Sequence, residues 1–185
     1  MCVVLSLKLE RVPMYHFIQR IIDNPSSPSC PEYYSMEEII GTEVSDPVRS
    51  CILRMIQEND DRFQVTYGSV HNHQAWKGGW RDHYTDGLNI TCLLYGVLSL
   101  CRPLPFTLED AVVAFFAHDI EKPWKYDVAD DGTLHHKSNF VTKDDANNFR
   151  DAKLREYGIV VIPLQANGME YAEGEIVEKY SNWKR

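Results

Sequence analysis

The apolar stretch Ala111–Ala117 ends directly in two polar residues, His118 and Asp119. Thr107 and Asp110 form an approximate capping box, which predicts that a helix begins just before this stretch. A helix that is apolar on every side must be covered by other elements, so we expect it at the centre of the fold. The two polar side chains at its end must then find partners or leave the core. This helix therefore constrains both the architecture and the place of a site.

Apolar spacing and capping signals predict further helices on both sides of the central one. A polar loop with a turn at Asp130–Gly132 and a possible short strand at Val160–Ile162 interrupt them. The predicted fold class is mostly α, and the helices should pack as a bundle. The other helices are expected at Met14–Asp23, from Ser45-Asp46-Pro47 onward, at Asp82–Cys101, at Lys143–Tyr157 closed by Gly158, and from Pro163 or Leu164, with the polar loop at Asp127–Asn139.

The chain has 185 residues, which suits one domain. Asn24–Pro31 is rich in proline and serine, so we divide the chain into an N-terminal extension with linker, residues 1–35, and a helical domain, residues 36–185. The net charge of -8 disfavours a nucleic-acid polymer as partner. No apolar run approaches the ~20 residues that span a bilayer, so no membrane partner is expected. Five cysteines without a CxxC pair predict reduced thiols in a cytoplasmic protein.

A third residue belongs with the His118-Asp119 pair. His83 stands near the start of the predicted helix Asp82–Cys101, which a short connection, Arg102–Phe106, joins to the central helix. Two antiparallel helices so joined bring the start of the first close to the end of the second. Imidazole nitrogens and a carboxylate oxygen suit a divalent cation. A pair without His83 would be read as hydrogen-bonded or capping; with His83 the spacing predicts a metal site.

These residues resemble the HD-domain metal-dependent phosphohydrolases. The likeness rests on His83, on Ala117-His118-Asp119-Ile120-Glu121-Lys122, and on the lead-in His71–His83 with its Gly78-Gly79 pair. The resemblance implies an HD-domain-like helical bundle in which His83, His118 and Asp119 are metal ligands. It implies a divalent ion, which could be Mn, Mg, Co, Zn or Fe.

The family supplies a fourth ligand, an Asp from a later helix, and this sequence departs from that pattern. Asp144, Asp145 and Asp151 lie on a polar helix where a surface position is expected. Glu173 stands in a segment that resembles one where other members carry a His pair. Either Glu173 takes the role, or the chain is a shortened or divergent member.

Other residues acquire expected roles from the resemblance. Lys122 would hold a substrate phosphate as a point charge, helped by Arg81. Glu121 is either a proton shuttle or a solvated charge at a helix end. His73, with His71, would line the pocket entrance or bind a second metal, or have no role. Three tryptophans flank the site and would either stack on a nucleobase or pack in the core: Trp76, Trp80 and Trp124.

The function that follows is a metal-dependent phosphohydrolase, with a metal-activated water as the nucleophile. Its substrate would be a nucleotide or a related small phosphate ester. One alternative is a catalytically degenerate HD-fold module that binds nucleotides or regulates. A second is an oxygen-activating protein with two irons, which needs further His and Asp ligands. Turnover separates the first alternative from the enzyme, and an iron absorption band would indicate the second.

Overall fold

The computed structural model describes residues 33–69, 74–128 and 134–172. These are mostly helical, which confirms the predicted fold class. In chain order the elements are α1 Met36–Glu43, α2 Val48–Glu58, α3 Asp60–Phe63, α4 Gly79–Cys101, α5 Leu108–His118, α6 Lys122–Lys125, β1 Tyr126–Val128, β2 Leu134–His136, α7 Lys143–Tyr157 and α8 Pro163–Ala172. The predicted helix at 14–23, the linker at 24–31 and the turn at 130–132 lie outside the described residues.

Helix α5 is the centre of the fold, as its composition predicts. It begins with the capping box of Thr107 and Asp110. It contacts α1, α4 and α8, and Val112, Val113 and Phe116 are fully or almost fully buried. Each such apolar side chain contributes roughly 1.5–3 kcal/mol when it is removed from water. The core packing therefore holds the end of α5 in a defined position.

Helix α4 begins one turn earlier than the predicted start at Asp82, because two glycines allow a tight entry. Gly78 has a φ of 85°, the left-handed region that favours glycine. Gly79 lies so close to the preceding loop that an added Cβ would stand 1.9 Å from the carbonyl oxygen of Gln74. The Gly-Gly pair of the lead-in thus has a steric reason.

Substituting Gly79 with alanine should lower the free energy of unfolding by about 1–3 kcal/mol, because backbone has to move. Gly41 in α1 is the matched control. An added Cβ there meets nothing within 4 Å, so Gly41→Ala should stabilise by up to about 1 kcal/mol. Urea unfolding followed by circular dichroism measures both. A Gly79→Ala protein as stable as the wild type would show that the loop does not pack as described.

The later elements follow the predictions in part. Helix α7 has the predicted bounds, with Gly158 in the left-handed conformation at its end, and α8 begins at Pro163. The predicted polar loop at 127–139 is wrong, because β1 and β2 pair there as an antiparallel hairpin. The possible strand at 160–162 is also wrong, since it has no partner strand among the described residues.

Two remaining expectations concern the membrane and the cysteines. Within the three described ranges, no helix combines the length and the apolar character needed to cross a bilayer. The cysteines that lie in these ranges, Cys51, Cys92 and Cys101, are free thiols.

Candidate metal centre

Helices α4 and α5 run antiparallel and bring three polar side chains together. Their pairing is marked by two hydrogen bonds, from the Tyr95 hydroxyl to the Phe106 carbonyl and from the Tyr84 hydroxyl to the Phe116 carbonyl. The early part of α4 therefore meets the end of α5. His83 lies in the second turn of α4, His118 is the last residue of α5, and Asp119 caps α5.

The three side chains converge on one carboxylate oxygen. Asp119 Oδ2 lies 3.0 Å from His118 Nε2 and 3.8 Å from His83 Nε2. One donor atom from each of the three residues lies within 4.8 Å of the others. Donors about 2.1 Å from a shared ion lie about 3.0–4.2 Å from one another. His83, His118 and Asp119 thus form a group that can hold a metal ion.

The chain also orients His118 for this role. Its Nδ1 lies 2.5 Å from the Phe115 carbonyl oxygen, so Nδ1 carries the proton and donates it to that oxygen. When the ring is neutral, its lone pair is then on Nε2, the nitrogen that a metal ion would use. When the ring is protonated, Nε2 donates to Asp119 instead. The Phe115 ring lies against both imidazoles, at centroid distances of 4.8 Å from His118 and 5.7 Å from His83.

The electrostatics of the group favour an ionised carboxylate. Burial opposes the charge of Asp119, but the hydrogen bond and charge of His118 and the charge of Lys122 outweigh it and hold its pKa well below the usual range. Burial likewise disfavours protonated His118, yet Asp119 raises its pKa. Lys122 Nζ donates to Asp119 Oδ2 at 2.5 Å. An ionised Asp119 is the protonation state that a metal ligand requires.

Glu121 is not the solvated charge considered from the sequence, because it is only 6% exposed. Its Oε2 is buried and accepts no hydrogen bond from the part of the chain that the structure describes. Burial, and then the charge of Asp119, raises the pKa of Glu121 to about 7. The carboxyl stands two residues from Asp119, where it adds a second acidic group to the centre.

The buried carboxyl gives a pH dependence to the metal-free protein. Glu121 has its ordinary pKa near 4.5 when unfolded and about 7 when folded. Between these values the folded state binds more protons, so this group lowers stability as pH rises. In EDTA, Glu121→Gln should raise the free energy of unfolding by roughly 1–3 kcal/mol at about pH 8, and much less at about pH 5. Urea unfolding at both pH values tests this; an equal effect at both would contradict it.

The other predicted site residues lie elsewhere. Arg81, two positions before His83 on α4, forms ion pairs with Glu37 and with Asp60. Asp145 is in the N-terminal capping box of α7, and the side chains of Asp144 and Asp151 line a cavity between α7 and α8. None of the three belongs to the His83–His118–Asp119 group. His71, His73 and Glu173 lie outside the described residues.

Two of the three tryptophans pack against other side chains, and the third is half exposed. Trp80 is fully buried between Phe63 and Tyr84, so no face of its ring is open to a nucleobase. Trp124 packs edge-on against Phe63 and lies beneath two cations, Arg62 and Lys153. Trp76 is half exposed and donates to Asp82.

No protein-family model, curated protein or solved structure matches the chain. The assignment of the centre therefore depends on its own geometry and chemistry. The sequence analysis did not single out Arg150 of α7. Burial and the charges of Asp119 and Glu121 raise the pKa of Tyr84, and the charge of Arg150 lowers it. The only sequence signal was a basic residue on a polar helix.

Arg150 also lines the cavity between α7 and α8, which has a volume of about 730 Å³. The side chain of Arg150 is 13% exposed and donates to Asp151. The cavity combines charged residues with an apolar floor formed by Leu154, Ile159, Val161, Ala166 and Met169. The Tyr84 ring lies outside this lining and stacks on His118 at 6.0 Å.

Proposed function

We propose that the chain is a metal-dependent phosphohydrolase of the HD-domain type that acts on a nucleotide or a related small phosphate ester. The observation that carries the proposal is the convergence of His83, His118 and Lys122 on Asp119 Oδ2. Two imidazoles and a carboxylate suit a divalent cation such as Mn, Mg, Co, Zn or Fe. A lysine next to the same carboxylate suits an anionic substrate.

A divalent ion held there would polarise a phosphoryl oxygen and lower the pKa of a water toward neutrality. In the hydrolysis, a water oxygen forms a bond to phosphorus, the bond from phosphorus to the leaving oxygen breaks, and the leaving oxygen takes up a proton. His83, His118 and Asp119 hold the ion in this proposal. Glu121, whose buried carboxyl interacts electrostatically with Asp119, is the group that we assign to accept the proton from the water or deliver it to the leaving group.

Lys122 is the residue that we assign to the phosphate. Its ammonium is held against Asp119 in the metal-free protein, with the side chain only 13% exposed. Lys122 would share the carboxylate with a divalent ion bound there, and its ammonium would then be available to a phosphate oxygen. Arg81 is a weaker candidate than the sequence indicated, because Glu37 and Asp60 already neutralise its charge.

Glu173 remains the proposed fourth ligand, and the register of α8 supports it. Gln165 donates to Asp110, and an added Cβ on Gly168 would lie 3.3 Å from Ala114. Helix α8 therefore runs parallel to α5. Each residue of α8 lies level with the α5 residue 54 or 55 positions earlier in the chain, because both helices have the same rise per residue. The described end of α8 at Ala172 thus comes level with the end of α5, where the metal group begins.

The cavity between α7 and α8 has a volume of about 730 Å³, within the range of about 300–1,000 Å³ for small-molecule pockets. Its lining includes neither Lys122 nor any member of the His83–His118–Asp119 group, so the proposal places the reacting phosphate at the metal group and not in this cavity. The net charge of -8 favours a free nucleotide over a polymer, because a polymer would meet repulsion beyond the pocket.

The test is phosphate and pyrophosphate release from a panel of nucleoside mono-, di- and triphosphates. Each is incubated with Mn, Mg, Co, Zn or Fe(II) in turn and with EDTA as the control. We expect release with at least one ion, and none in EDTA. If the folded protein releases nothing with any ion, the enzyme proposal is wrong and the nucleotide-binding module remains. Binding would then be detected as a rise in melting temperature when nucleotide is added.

A further inference from the structure

The second half of α4 carries an apolar surface that nothing in the described residues covers. Ile90, Leu94, Val97 and Leu98 recur at helical spacing and are each 42–54% exposed. Cys101 continues the same side and is also exposed. We call these five residues the α4 stripe. The opposite side of the helix is packed, with Leu88, Cys92 and Gly96 buried. A contiguous apolar surface of this kind is typical of an interaction site.

The N-terminal part of the chain enters the fold next to this stripe. The side-chain amide of Asn89 holds Tyr34 on both sides: it accepts from the Tyr34 N–H at 3.1 Å and donates to the Tyr34 carbonyl at 2.7 Å. The Tyr33 hydroxyl donates to Asp86, which lies one helical turn before Ile90 on the same side of α4. Everything that precedes Tyr33 therefore starts from one end of the stripe.

The preceding sequence contains a matching apolar pattern. Five apolar residues recur at helical spacing between positions 14 and 22: Met14, Phe17, Ile18, Ile21 and Ile22. This is the i, i+3, i+4, i+7, i+8 spacing of an amphipathic helix, which needs an apolar surface to cover that side. Within the stripe, Leu94, Val97, Leu98 and Cys101 repeat the i, i+3, i+4, i+7 part of this spacing. The stripe is about 17 Å long from Ile90 to Cys101 at 1.5 Å per residue, which is enough for a segment of about 12 Å.

The connection between them is long enough. Residues 23–32 separate the segment from Tyr33, and their extended length reaches up to about 33 Å. This exceeds the length of the stripe, so either direction of packing is accessible. A tethered segment also has an effective concentration far above that of any free partner.

We propose that residues 14–22 form a helix that packs on the α4 stripe of the same chain. Such an intramolecular helix would remove both apolar surfaces from water. It would also make the N-terminal extension part of the folded domain. A second copy of the chain is the competing occupant, since the same two surfaces could pair between molecules.

Hydrogen–deuterium exchange of the full-length chain tests the proposal, with Leu94→Glu/Leu98→Glu as the disrupting variant. We expect backbone amides of residues 14–22 to exchange at least about tenfold more slowly than unprotected amides in the wild type, and to lose this protection in the variant. Val141→Glu is the matched control, because Val141 is 81% exposed and lies outside α4. It should leave the protection unchanged. Slow exchange of residues 108–118 in all three proteins verifies that the core is folded.

A reciprocal variant reads out the stripe itself. Ile18→Glu/Ile21→Glu should raise the alkylation rate of the Cys101 thiol by about fivefold, measured peptide by peptide by mass spectrometry. Sedimentation over a range of concentrations should find monomers throughout. Unprotected residues 14–22 in the wild type, or equal protection in the Leu94→Glu/Leu98→Glu variant, would overturn the proposal. Protection that appears only when the chain dimerises would also overturn it, in favour of a second copy.

Discussion

Replacing Asp119 with alanine is expected to abolish metal-dependent phosphate release, with a loss of more than about a hundredfold, the upper end of the effect of losing an outer-shell partner. The reason is that Asp119 Oδ2 is the atom on which the whole centre converges. His118, His83 and Lys122 lie 3.0, 3.8 and 2.5 Å from it. Removing the carboxylate leaves only two imidazole ligands, and the ammonium of Lys122, no longer paired, repels a divalent ion.

The measurement combines release from the best substrate of the panel with the melting temperature at increasing metal concentration. Asp119→Ala should lose both the activity and the metal-induced rise in melting temperature, because an ion stabilises only the state that binds it. Asp61→Ala, which removes an exposed acid in α3, is the control and should retain both. Retained metal stabilisation with no activity would place the ion elsewhere, and retained activity would remove Asp119 from the centre.

The helical core and the meeting of the three candidate ligands could be predicted from the sequence for a local reason. A wholly apolar helix has only one place in a bundle, and the short connection from Arg102 to Phe106 forces its neighbour to run back along it. His83 and His118 then meet because each lies near the corresponding helix end. This argument needs only helix lengths and one loop, and the structure places the side chains accordingly.

The remaining features depend on tertiary contacts that no local pattern encodes. From its sequence context Glu121 could be a solvated charge at a helix end. In the fold it is buried, because the chain turns back into α6 shortly after Asp119. Arg81 is near His83 in sequence, but its guanidinium forms ion pairs with Glu37 of α1 and Asp60 of α3. The charge of Arg150, which acts on the pKa of Tyr84, comes from a helix that the sequence marked only as polar.

The hairpin was missed for a related reason. Its strands, Tyr126–Val128 and Leu134–His136, have three residues each. Strands this short are below the length at which alternation can be recognised, and pairing with each other is what defines them. The Val160–Ile162 stretch shows the converse: three β-branched residues satisfy strand propensity, but no partner strand lies beside them in the described part of the fold.

Trp80→Ala is expected to lower the free energy of unfolding by about 3–5 kcal/mol, the usual cost of removing a buried aromatic side chain. Trp80 is 0% exposed, and its ring centroid lies 4.3 Å from that of Phe63 and 4.1 Å from that of Tyr84. The cavity left behind would adjoin the metal centre, because Trp80 Nε1 donates to the Asp119 carbonyl at 3.4 Å. A domain of this size has little stability beyond that loss.

Trp76→Ala is the matched control, since it removes the same side chain from the same lead-in. Trp76 is 51% exposed, and its indole N–H donates to Asp82. Its loss should cost less than about 1 kcal/mol. Urea unfolding by circular dichroism compares the two without depending on tryptophan fluorescence. Equal losses would contradict the burial of Trp80. A large loss for Trp80→Ala alone, with a weaker metal-induced rise in melting temperature, would show that the aromatic core holds α4 in the position that brings His83 to Asp119.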